Sequence, residues 1–406
     1  MQGDFSLVFS ILFSLLAAAV LSFGATPLVK RAAFKLGAID VPKDGRRMHD
    51  HPIPRLGGLA IFLGFMLSAL LFAEMERPVR GLLIGAVIIV ILGVLDDIMT
   101  LRALPKFIVQ IGAAWIAVHH GNVIQYLSNP ILTSTERFID LGSLAVPVTI
   151  LWIVAITNAV NFIDGLDGLA VGVSAISSAT LLVTAILVSE GNVAVIMAAL
   201  LGACLGFIPY NMNPAKIFMG DSGSTFLGYV LAVVSIQGLF KLYAIISFAV
   251  PFLILGLPIF DICFAILRRL ARGENPMHAD RGHVHHRLID MGFNQKQAVA
   301  ISYIMTAILG LSAVVLTSSG ALRALFLIGA VFVVGAIGLR LIFSGHGEER
   351  HEGPMVEDSS HTERLKAWEP RRAKTEELPK ETQTVEQPSE EAETLENGEE
   401  DNDAEI

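Results

Sequence analysis

A polar segment interrupts the apolar middle of this chain. It reads NAVNFIDGLDGLA from Asn158 to Ala170 and places Asn161, Asp164 and Asp167 three residues apart. Residues at this spacing share one face of a helix, and the two interleaved glycines allow the backbone to approach a ligand closely. A charged group in a hydrocarbon span costs about 2.5 to 3.5 kcal/mol on insertion scales, so acids placed there usually line a cavity and serve chemistry. The simpler alternative is a polar turn between two membrane helices.

A pair of adjacent acids, Asp96 and Asp97, ends another apolar run as GVLDD. Neighbouring residues on a helix point about 100 degrees apart. Both carboxylates can therefore line one cleft only near a helix end, where one could hold a metal ion and the other a proton. The alternative is an ordinary helix-ending turn.

A third acid, Asp221, lies in the segment KIFMGDSGSTFLG, directly before a long apolar run. Its glycines and serines would present backbone N–H groups and hydroxyls to an anion at a positive helix end. Mg2+ prefers one or two carboxylates together with phosphate oxygens of the substrate. Asp221 is therefore the predicted metal ligand. The segment is not a P-loop, because no Lys follows its second Gly.

A basic loop from residue 278 to residue 288 reads HADRGHVHHRL. Its candidate substrate-binding and catalytic residues are Arg281, His283, His285, His286 and Arg287. Because carboxylates already offer a site for a hard cation, these side chains are expected to clamp a diphosphate or a sugar. A histidine metal site and a surface loop at the lipid headgroups are the alternatives.

Two further polar residues lie beside apolar runs. Asp261 precedes Arg268 by seven residues, so the two share a helix face, and a structural contact between them is expected. Arg55 opens an apolar run in PIPRLGGLA and is a candidate for touching phosphate. A snorkelling Arg beside close-packed glycines explains it equally well.

The composition is that of a polytopic membrane protein, with 53% hydrophobic and 17% charged residues among 406. The net charge of −9 divides unevenly: residues 344–406 hold 7 Lys and Arg against 20 Asp and Glu, or −13, which leaves residues 1–343 at +4. We expect a membrane domain over 1–343 and a disordered acidic tail over 344–406. Neither Cys204 nor Cys263 has a CxxC partner, so no zinc site or disulfide framework is indicated.

About eleven apolar runs are long enough to predict an all-α protein that crosses the membrane repeatedly. They are residues 5–29, 56–73, 81–95, 107–121, 141–163, 168–189, 191–210, 222–240, 242–267, 297–318 and 321–343. The distribution of Lys and Arg predicts an outside N-terminus and a cytoplasmic C-terminus. All four motifs then fall on the cytoplasmic face, in one cleft at the membrane interface. Such a cleft would combine a metal ion bound by carboxylates, a loop that binds an anion, and a His/Arg clamp. Together these groups would support phosphoryl transfer to a lipid.

These motifs resemble those of the polyprenyl-phosphate N-acetylhexosamine-1-phosphate transferase family over residues 1–343. The resemblance rests on the Asp96-Asp97 pair, NFIDGLDGLA, FMGDSGS and RGHVHHRL in that order. It implies transfer of GlcNAc-1-phosphate from UDP-GlcNAc to undecaprenyl phosphate with Mg2+ or Mn2+, releasing UMP. It also implies a bacterial cytoplasmic membrane location and a homodimer, with no nucleic-acid partner.

The resemblance also implies roles for single residues. Asp221 matches the metal ligand, and Asp96 matches a base or a group that handles the lipid phosphate, with Asp97 beside it. Asn161 and Asp164 match residues near the diphosphate, and Asp167 and Phe218 match residues near the uracil. Lys106 lies near a phosphate-contacting lysine, and His285 and His286 fall in the histidine motif. One departure is DDIMT, where Thr100 replaces the lysine of the muramoyl branch.

Two alternatives stay open from the sequence. The first is a phospho-MurNAc-pentapeptide transferase, although the HVHH spacing here differs from the three consecutive histidines of that branch. The second is a transporter that uses the same carboxylates for ion coupling, which predicts metal-independent flux and acids accessible from both sides.

Overall fold

The computed structural model describes residues 2–41, 51–128, 138–238, 249–271, 273 and 283–318, with short pieces at 326, 329–330 and 333–337. The chain divides into two units, Met1–Glu348 and Glu349–Ile406. The predicted acidic tail and the candidate Arg281 lie outside the described residues.

The described part of the chain is almost entirely helical. Its α-helices are α1 (Gln2–Leu36), α2 (Gly57–Phe72), α3 (Arg77–Met99), α4 (Ala103–His119), α5 (Ala145–Phe162), α6 (Leu169–Leu187), α7 (Gly191–Asn211), α8 (Asp221–Gly238), α9 (Ala249–Ile254), α10 (Gly256–Ala271), α11 (Val284–Asp290) and α12 (Gln295–Ser318). Two short antiparallel pairs join β1 (Ile39–Asp40) to β2 (Ile53–Pro54) and β3 (Tyr126–Ser128) to β4 (Phe138–Asp140). A 3-10 turn, Gly142–Leu144, leads into α5.

Six helices among the described residues are long and apolar enough to cross a membrane: α1, α3, α5 with its preceding turn, α6, α7 and α12. Two shorter apolar helices, α2 and α4, accompany them. The all-α membrane class is therefore confirmed. The count of eleven spans stays a prediction, because residues 239–248 and most of 319–343 lie outside the described part.

Helix α8 lies at the centre of the helix bundle. It packs on α3, α5, α2 and α6, and its large side chains Phe226 and Tyr229 are fully buried. Around it, α7 packs against α1, α6 and α2. The peripheral helices instead expose large apolar side chains, such as Val20 of α1 and Leu151 of α5. A helix that is apolar on its outer face suits a lipid environment.

The predicted ninth span, residues 242–267, differs from the structure. Its described part forms two helices, α9 and α10, that meet at Leu255. Pro258 has no backbone N–H to donate to Ile254, so a continuous helix would lose a hydrogen bond at this point. The break aims α10 at the polar end of the bundle, where its Asp261 is buried.

Candidate active site

Four helix ends meet at one end of the bundle. Asp96 lies in the last turn of α3, Lys106 in the first turn of α4 and Asn161 in the last turn of α5, and α8 begins with Asp221. Lys106 Nζ lies 2.8 Å from Asp96 Oδ2 and 3.1 Å from Asp221 Oδ2, so one ammonium group bridges two carboxylates from different helices. The structure thus brings together the predicted metal ligand and three other predicted site residues.

The second oxygen of Asp221 is held by Asn161. Asn161 Nδ2 donates to Asp221 Oδ1 at 3.1 Å and to Ser224 Oγ at 2.7 Å. Asn161 and Asp221 both border a small, partly open cleft whose polar lining is Asp96, Lys106, Gln110, Asn158, Asn161, Asp221 and Thr225. The cleft can therefore receive a polar group beside the Asp221 carboxylate.

Asp97 faces away from this cleft. Its Oδ1 accepts the backbone N–H of Asp221 at 2.9 Å, and its Oδ2 accepts that of Ser222 at 3.1 Å. Arg55 donates to the same carboxylate at 3.2 Å, and the Asp97 side chain has no exposed surface. A carboxylate in this position satisfies N–H groups that α8 itself leaves unpaired and suits the positive end of the helix. Asp97 thus holds the helix that carries Asp221 and lies outside the lining of the cleft, so its catalytic role stays a prediction.

Asp164 is the opposite case. It is half-buried in the turn between α5 and α6, and its carboxylate accepts no hydrogen bond from the described residues. Burial, together with the nearby negative charges of Asp221 and Asp97, raises the pKa of Asp164 to about 8. The turn therefore presents a carboxyl group that forms no ion pair with a described residue, although the charge of Arg55 acts on it from a distance.

Asp167 anchors the same turn to a neighbouring loop. Its Oδ2 accepts from Asn213 Nδ2 and from the backbone N–H of Ala215, each at 3.0 Å. The Tyr303 hydroxyl donates to the Gly168 carbonyl at 2.6 Å, where Gly168 has a left-handed φ of 80°. These contacts fix the position of Asp164 from two sides. The uracil-contacting role of Asp167 stays a prediction.

The histidines of the basic loop, His283, His285 and His286, form a row beside this turn. His283 stacks on Phe162 with 5.9 Å between ring centroids, and His285 lies 5.8 Å from His283 and 4.3 Å from His286. A Cβ at Gly165 would lie 2.2 Å from His285 Nε2, so only a glycine leaves room for this ring. The predicted histidine motif and the NFIDG motif therefore adjoin.

The His285 imidazole is buried within this row. Burial, with a smaller contribution from His286, lowers the pKa of His285 to about 3. The ring is therefore neutral at pH 7 and offers hydrogen bonds rather than a positive charge. Arg287 lies over the ring of Phe264 at 5.4 Å, at the edge of the row.

Asp261 does not contact Arg268, contrary to the sequence-based expectation. Its Oδ2 lies 2.8 Å from His283 Nδ1, and its Oδ1 accepts the backbone N–H of Val284 at 2.7 Å. Arg268 lies over the Phe264 ring at 5.6 Å. Helical spacing placed the two on one face, but the start of α11 approaches Asp261 more closely.

Phe218 joins the site through its backbone. Its N–H donates to the Pro54 carbonyl at 2.8 Å and its carbonyl accepts from Gly57 N–H at 2.9 Å, in a parallel bridge with Arg55. The ring is half-buried. This pairing explains how Arg55, distant in sequence, reaches Asp97.

Sequence reasoning missed the amide pair Gln110 and Asn158. Asn158 Nδ2 donates to Gln110 Oε1 at 2.7 Å, one helical turn below Lys106 and Asn161. Both residues line the cleft, and Gln110 is only 4% exposed. Their spacing of four and three residues from the predicted pair was the signal that could have identified them.

The described residues contain no group of three His, Cys, Asp or Glu side chains arranged to hold a metal ion. A magnesium site built from one or two carboxylates and substrate phosphates needs no such cage. Among the described residues, four carboxyl groups, Asp96, Asp97, Asp164 and Asp221, adjoin two cations, Arg55 and Lys106. The site therefore carries an excess of negative charge that a divalent cation would offset.

Comparisons with known proteins agree with this geometry. Residues 79–239, which span α3 to α8, match the model of glycosyl transferase family 4. A probable undecaprenyl-phosphate N-acetylglucosaminyl 1-phosphate transferase of Bacillus subtilis is 45% identical over 306 residues, 75% of this chain and 84% of that protein. This chain belongs to glycosyl transferase family 4.

Two other relatives are more distant. A decaprenyl-phosphate N-acetylglucosaminephosphotransferase of Mycobacterium tuberculosis is 35% identical over 329 residues, 73% of this chain and 80% of that protein. A phospho-N-acetylmuramoyl-pentapeptide-transferase of Staphylococcus aureus is 32% identical over 231 residues, 52% of this chain and 70% of that protein. The family predicted from the four motifs is thus confirmed, and the match is stronger to the N-acetylglucosamine branch.

Proposed function

We propose that this family 4 protein transfers GlcNAc-1-phosphate from UDP-GlcNAc to undecaprenyl phosphate. An oxygen of the lipid phosphate attacks the sugar-linked phosphorus, the bond from that phosphorus to the bridging oxygen breaks, and UMP leaves with the electron pair. The observation that carries this proposal is the meeting of Asp96, Lys106, Asn161 and Asp221 at four helix ends, in a chain 45% identical to a relative named for this activity.

Asp221 is the proposed ligand of Mg2+ (or Mn2+), together with phosphate oxygens of the substrate. The excess of carboxylates over cations around Asp221 supports this assignment. When bound, the ion would offset the charge of the diphosphate and of the departing UMP. Asn161 and Lys106 keep both oxygens of Asp221 in place, and Asp164 adds a second carboxylate nearby.

Lys106 is the proposed phosphate contact, and Asp96 the group that orients it. Asp96 accepts from Lys106 Nζ at 2.8 Å and from Leu101 N–H at 2.6 Å. A phosphate monoester has a second pKa of about 6, so the lipid phosphate is already largely ionised near pH 7. Asp96 therefore needs only to orient the ammonium group of Lys106 and does not need to remove a proton from the lipid phosphate.

The remaining predicted residues surround the sugar nucleotide in this proposal. Phe218 and Asp167 lie toward the uracil, and His283, His285, His286 and Arg287 lie toward the sugar diphosphate. The neutral His285 and its contact with Gly165 support a hydrogen-bonding role for the histidine row. Arg281 is proposed to join this group from outside the described residues.

We propose a bacterial cytoplasmic membrane location with the cleft on the cytoplasmic side. The end of the bundle that holds the cleft carries most of the basic residues: Lys30, Arg31, Lys35, Arg55, Arg102, Lys106 and Lys216. The opposite end carries Arg77 and Arg80 beside Glu74, Glu76 and Glu190. The positive-inside rule supports this orientation.

A homodimer within the membrane stays a prediction, which mass measurement in detergent or nanodiscs would test.

The function is tested by UMP release from purified protein with undecaprenyl phosphate and Mg2+. UDP-GlcNAc, UDP-GalNAc and UDP-MurNAc-pentapeptide are offered in parallel, with Asp221→Ala as the inactive variant and Asp140→Asn, an exposed acid at the other end of α5, as the matched control. We expect release with UDP-GlcNAc that needs Mg2+ and is lost only in Asp221→Ala. Release with the pentapeptide donor alone would move the protein to the other branch, and no release with any donor would contradict transfer.

A further inference from the structure

A buried carboxylate outside the cleft controls the start of the histidine helix. Asp261 of α10 is 2% exposed, and both of its oxygens are occupied by the beginning of α11. Its Oδ1 accepts the Val284 N–H at 2.7 Å, and its Oδ2 lies 2.8 Å from His283 Nδ1. Short helices have few hydrogen bonds of their own, so an external partner at the first turn largely determines where α11 begins.

The contact with Asp261 also selects the tautomer of His283. A carboxylate can only accept, so the proton of a neutral His283 resides on Nδ1 and its Nε2 carries a lone pair. The ring is fixed in orientation by the same contact and by stacking on Phe162 at 5.9 Å. His283 therefore presents one defined nitrogen toward its surroundings.

The stacked histidine rings link the position of α11 to that of the NFIDG turn. His285 follows His283 by two residues, lies 5.8 Å from it in a near-parallel stack and touches Gly165, the neighbour of Asp164. A shift of α11 would therefore move a ring that fits against the turn with no spare room. In the same way, Asp97 accepts the Asp221 N–H at the start of α8 and so holds Asp221 in position.

We propose that Asp261 is a positioning residue of the transfer reaction, which holds α11 and the His283 ring so that the histidine row meets the NFIDG turn. A buried ion pair is weak evidence for stability by itself. The arrangement of Asp261 instead matches that of carboxylates that orient histidines in functional sites. This inference rests on the proposed transferase function of the same cleft.

The test compares Asp261→Asn and Asp261→Leu with Asp290→Asn, an exposed acid at the far end of α11. Asparagine can still accept the Val284 N–H, but its amide group faces His283 Nδ1 and reverses the tautomer. Leucine fills similar volume and removes both contacts. For each variant, kcat and KM for UDP-GlcNAc, the melting temperature, and hydrogen exchange of residues 283–290 are measured in the full-length protein.

We expect kcat of Asp261→Asn to fall at least about tenfold, with KM, melting temperature and exchange close to those of Asp290→Asn. For Asp261→Leu we expect faster exchange confined to α11 and a loss of kcat on the order of 100-fold, as small misplacements in active sites produce. Values of kcat within twofold of Asp290→Asn for both variants would overturn the inference. So would faster exchange throughout α3, α5 and α8, because Asp261 would then serve the fold in general. An inactive wild type would instead contradict the proposed function.

Discussion

The acids of the site differ in which groups donate hydrogen bonds to their carboxylate oxygens. Asp97 and Asp167 accept backbone N–H groups from other segments, which commits them to holding the chain. Among the described residues, Asp221 interacts with the side chains of Lys106, Asn161 and Asp96 and with no backbone N–H group, and Asp164 accepts from none. A carboxylate that is bound to backbone cannot move toward a ligand without exposing a buried donor. Asp164 and Asp221 are therefore the acids best placed to meet substrate or metal.

Replacing Asp164 with Asn should separate activity from stability. The charged form of Asp164 is disfavoured by burial and by neighbouring acids, so the neutral amide should leave the melting temperature unchanged or slightly higher. Loss of the carboxyl group, which can ionise when a substrate-bound cation approaches and which an amide cannot replace as an anionic ligand, should lower turnover about 100-fold, as removal of one electrostatic group from an active site typically does. UMP release and thermal unfolding in detergent measure both effects, with Asp140→Asn as control. A melting temperature that falls together with turnover would contradict this view of Asp164.

Replacing Asp97 with Asn should lower both the turnover and the stability of the protein. The amide retains one acceptor for the start of α8 but loses the charge that pairs with Arg55 and with the helix end. Hydrogen bonds to charged groups contribute about 1.5 to 3 kcal/mol, so a loss of stability of that size is expected together with reduced turnover. Denaturation of the purified protein and the same UMP assay measure the two effects. Lost turnover at full stability would make Asp97 a catalytic group instead.

At the scale of elements, the start of α8 is packed by backbone rather than by side chains. A Cβ at Gly93 of α3 would lie 2.4 Å from Ser222 Cα, and one at Gly58 of α2 would lie 2.0 Å from Gly223 N. Three helices thus approach through glycines at the point where Asp221 begins α8. Close approach is what allows Asp97 to reach the N–H groups of α8.

The substitution Gly93→Ala should disturb this junction. Its added methyl group would force α3 and α8 apart, displace Asp221 and reduce Mg2+-dependent turnover by about tenfold or more. Gly112→Ala in α4 is the matched control, because a Cβ there meets nothing within 4 Å and alanine favours helix. Turnover and melting temperature of both variants are compared with wild type. Equal turnover of Gly93→Ala and Gly112→Ala would show that the junction tolerates displacement.

At the scale of the whole molecule, polarity distinguishes the two ends of the bundle. The cleft end is rich in Lys and Arg, whereas the far end has Arg77 and Arg80 balanced by Glu74, Glu76 and Glu190. Between them, α3 extends for 23 residues, or about 35 Å, which is enough to span a bilayer.

The orientation is tested by single cysteines at the two ends of α3. Arg80→Cys and Arg102→Cys are introduced after Cys263→Ser, which removes the exposed native thiol and leaves the buried Cys204. In intact cells an impermeant maleimide should label position 80 and spare position 102, and it should label both after lysis. The reverse pattern would place the cleft outside the cytoplasm and contradict the proposal, since UDP-sugars are cytoplasmic donors.

The acidic tail should be dispensable for chemistry. Its composition cannot bury enough apolar surface to offset the entropy of ordering. Removing residues 348–406 should leave kcat and KM within about twofold of the full-length values, with cell-membrane yield measured in parallel. A larger loss of kcat in properly inserted protein would assign the tail a direct part in turnover.

The membrane class and the family could be predicted from the chain alone, and so could most of the residues that form the candidate site. Apolar runs longer than a bilayer and four ordered motifs are local properties of the chain, so no packing information is needed to recognise them. It predicted Asp96, Lys106, Asn161 and Asp221 correctly as neighbours. The helix break at Leu255 was not predicted, because the apolar run 242–267 is long enough to form a single span.

Which acids are bound to backbone N–H groups, and which face the cleft, depends on packing between distant segments. Asp97 is occupied by α8, whose first residue is 124 positions away, and Asp261 is occupied by α11 rather than by Arg268 on its own helix. The side a helical side chain faces follows from its neighbours in space, and adjacent residues point about 100 degrees apart. Two identical carboxylates, Asp96 and Asp97, therefore acquired different tasks. That difference is set by packing between distant segments, which no short stretch of sequence contains.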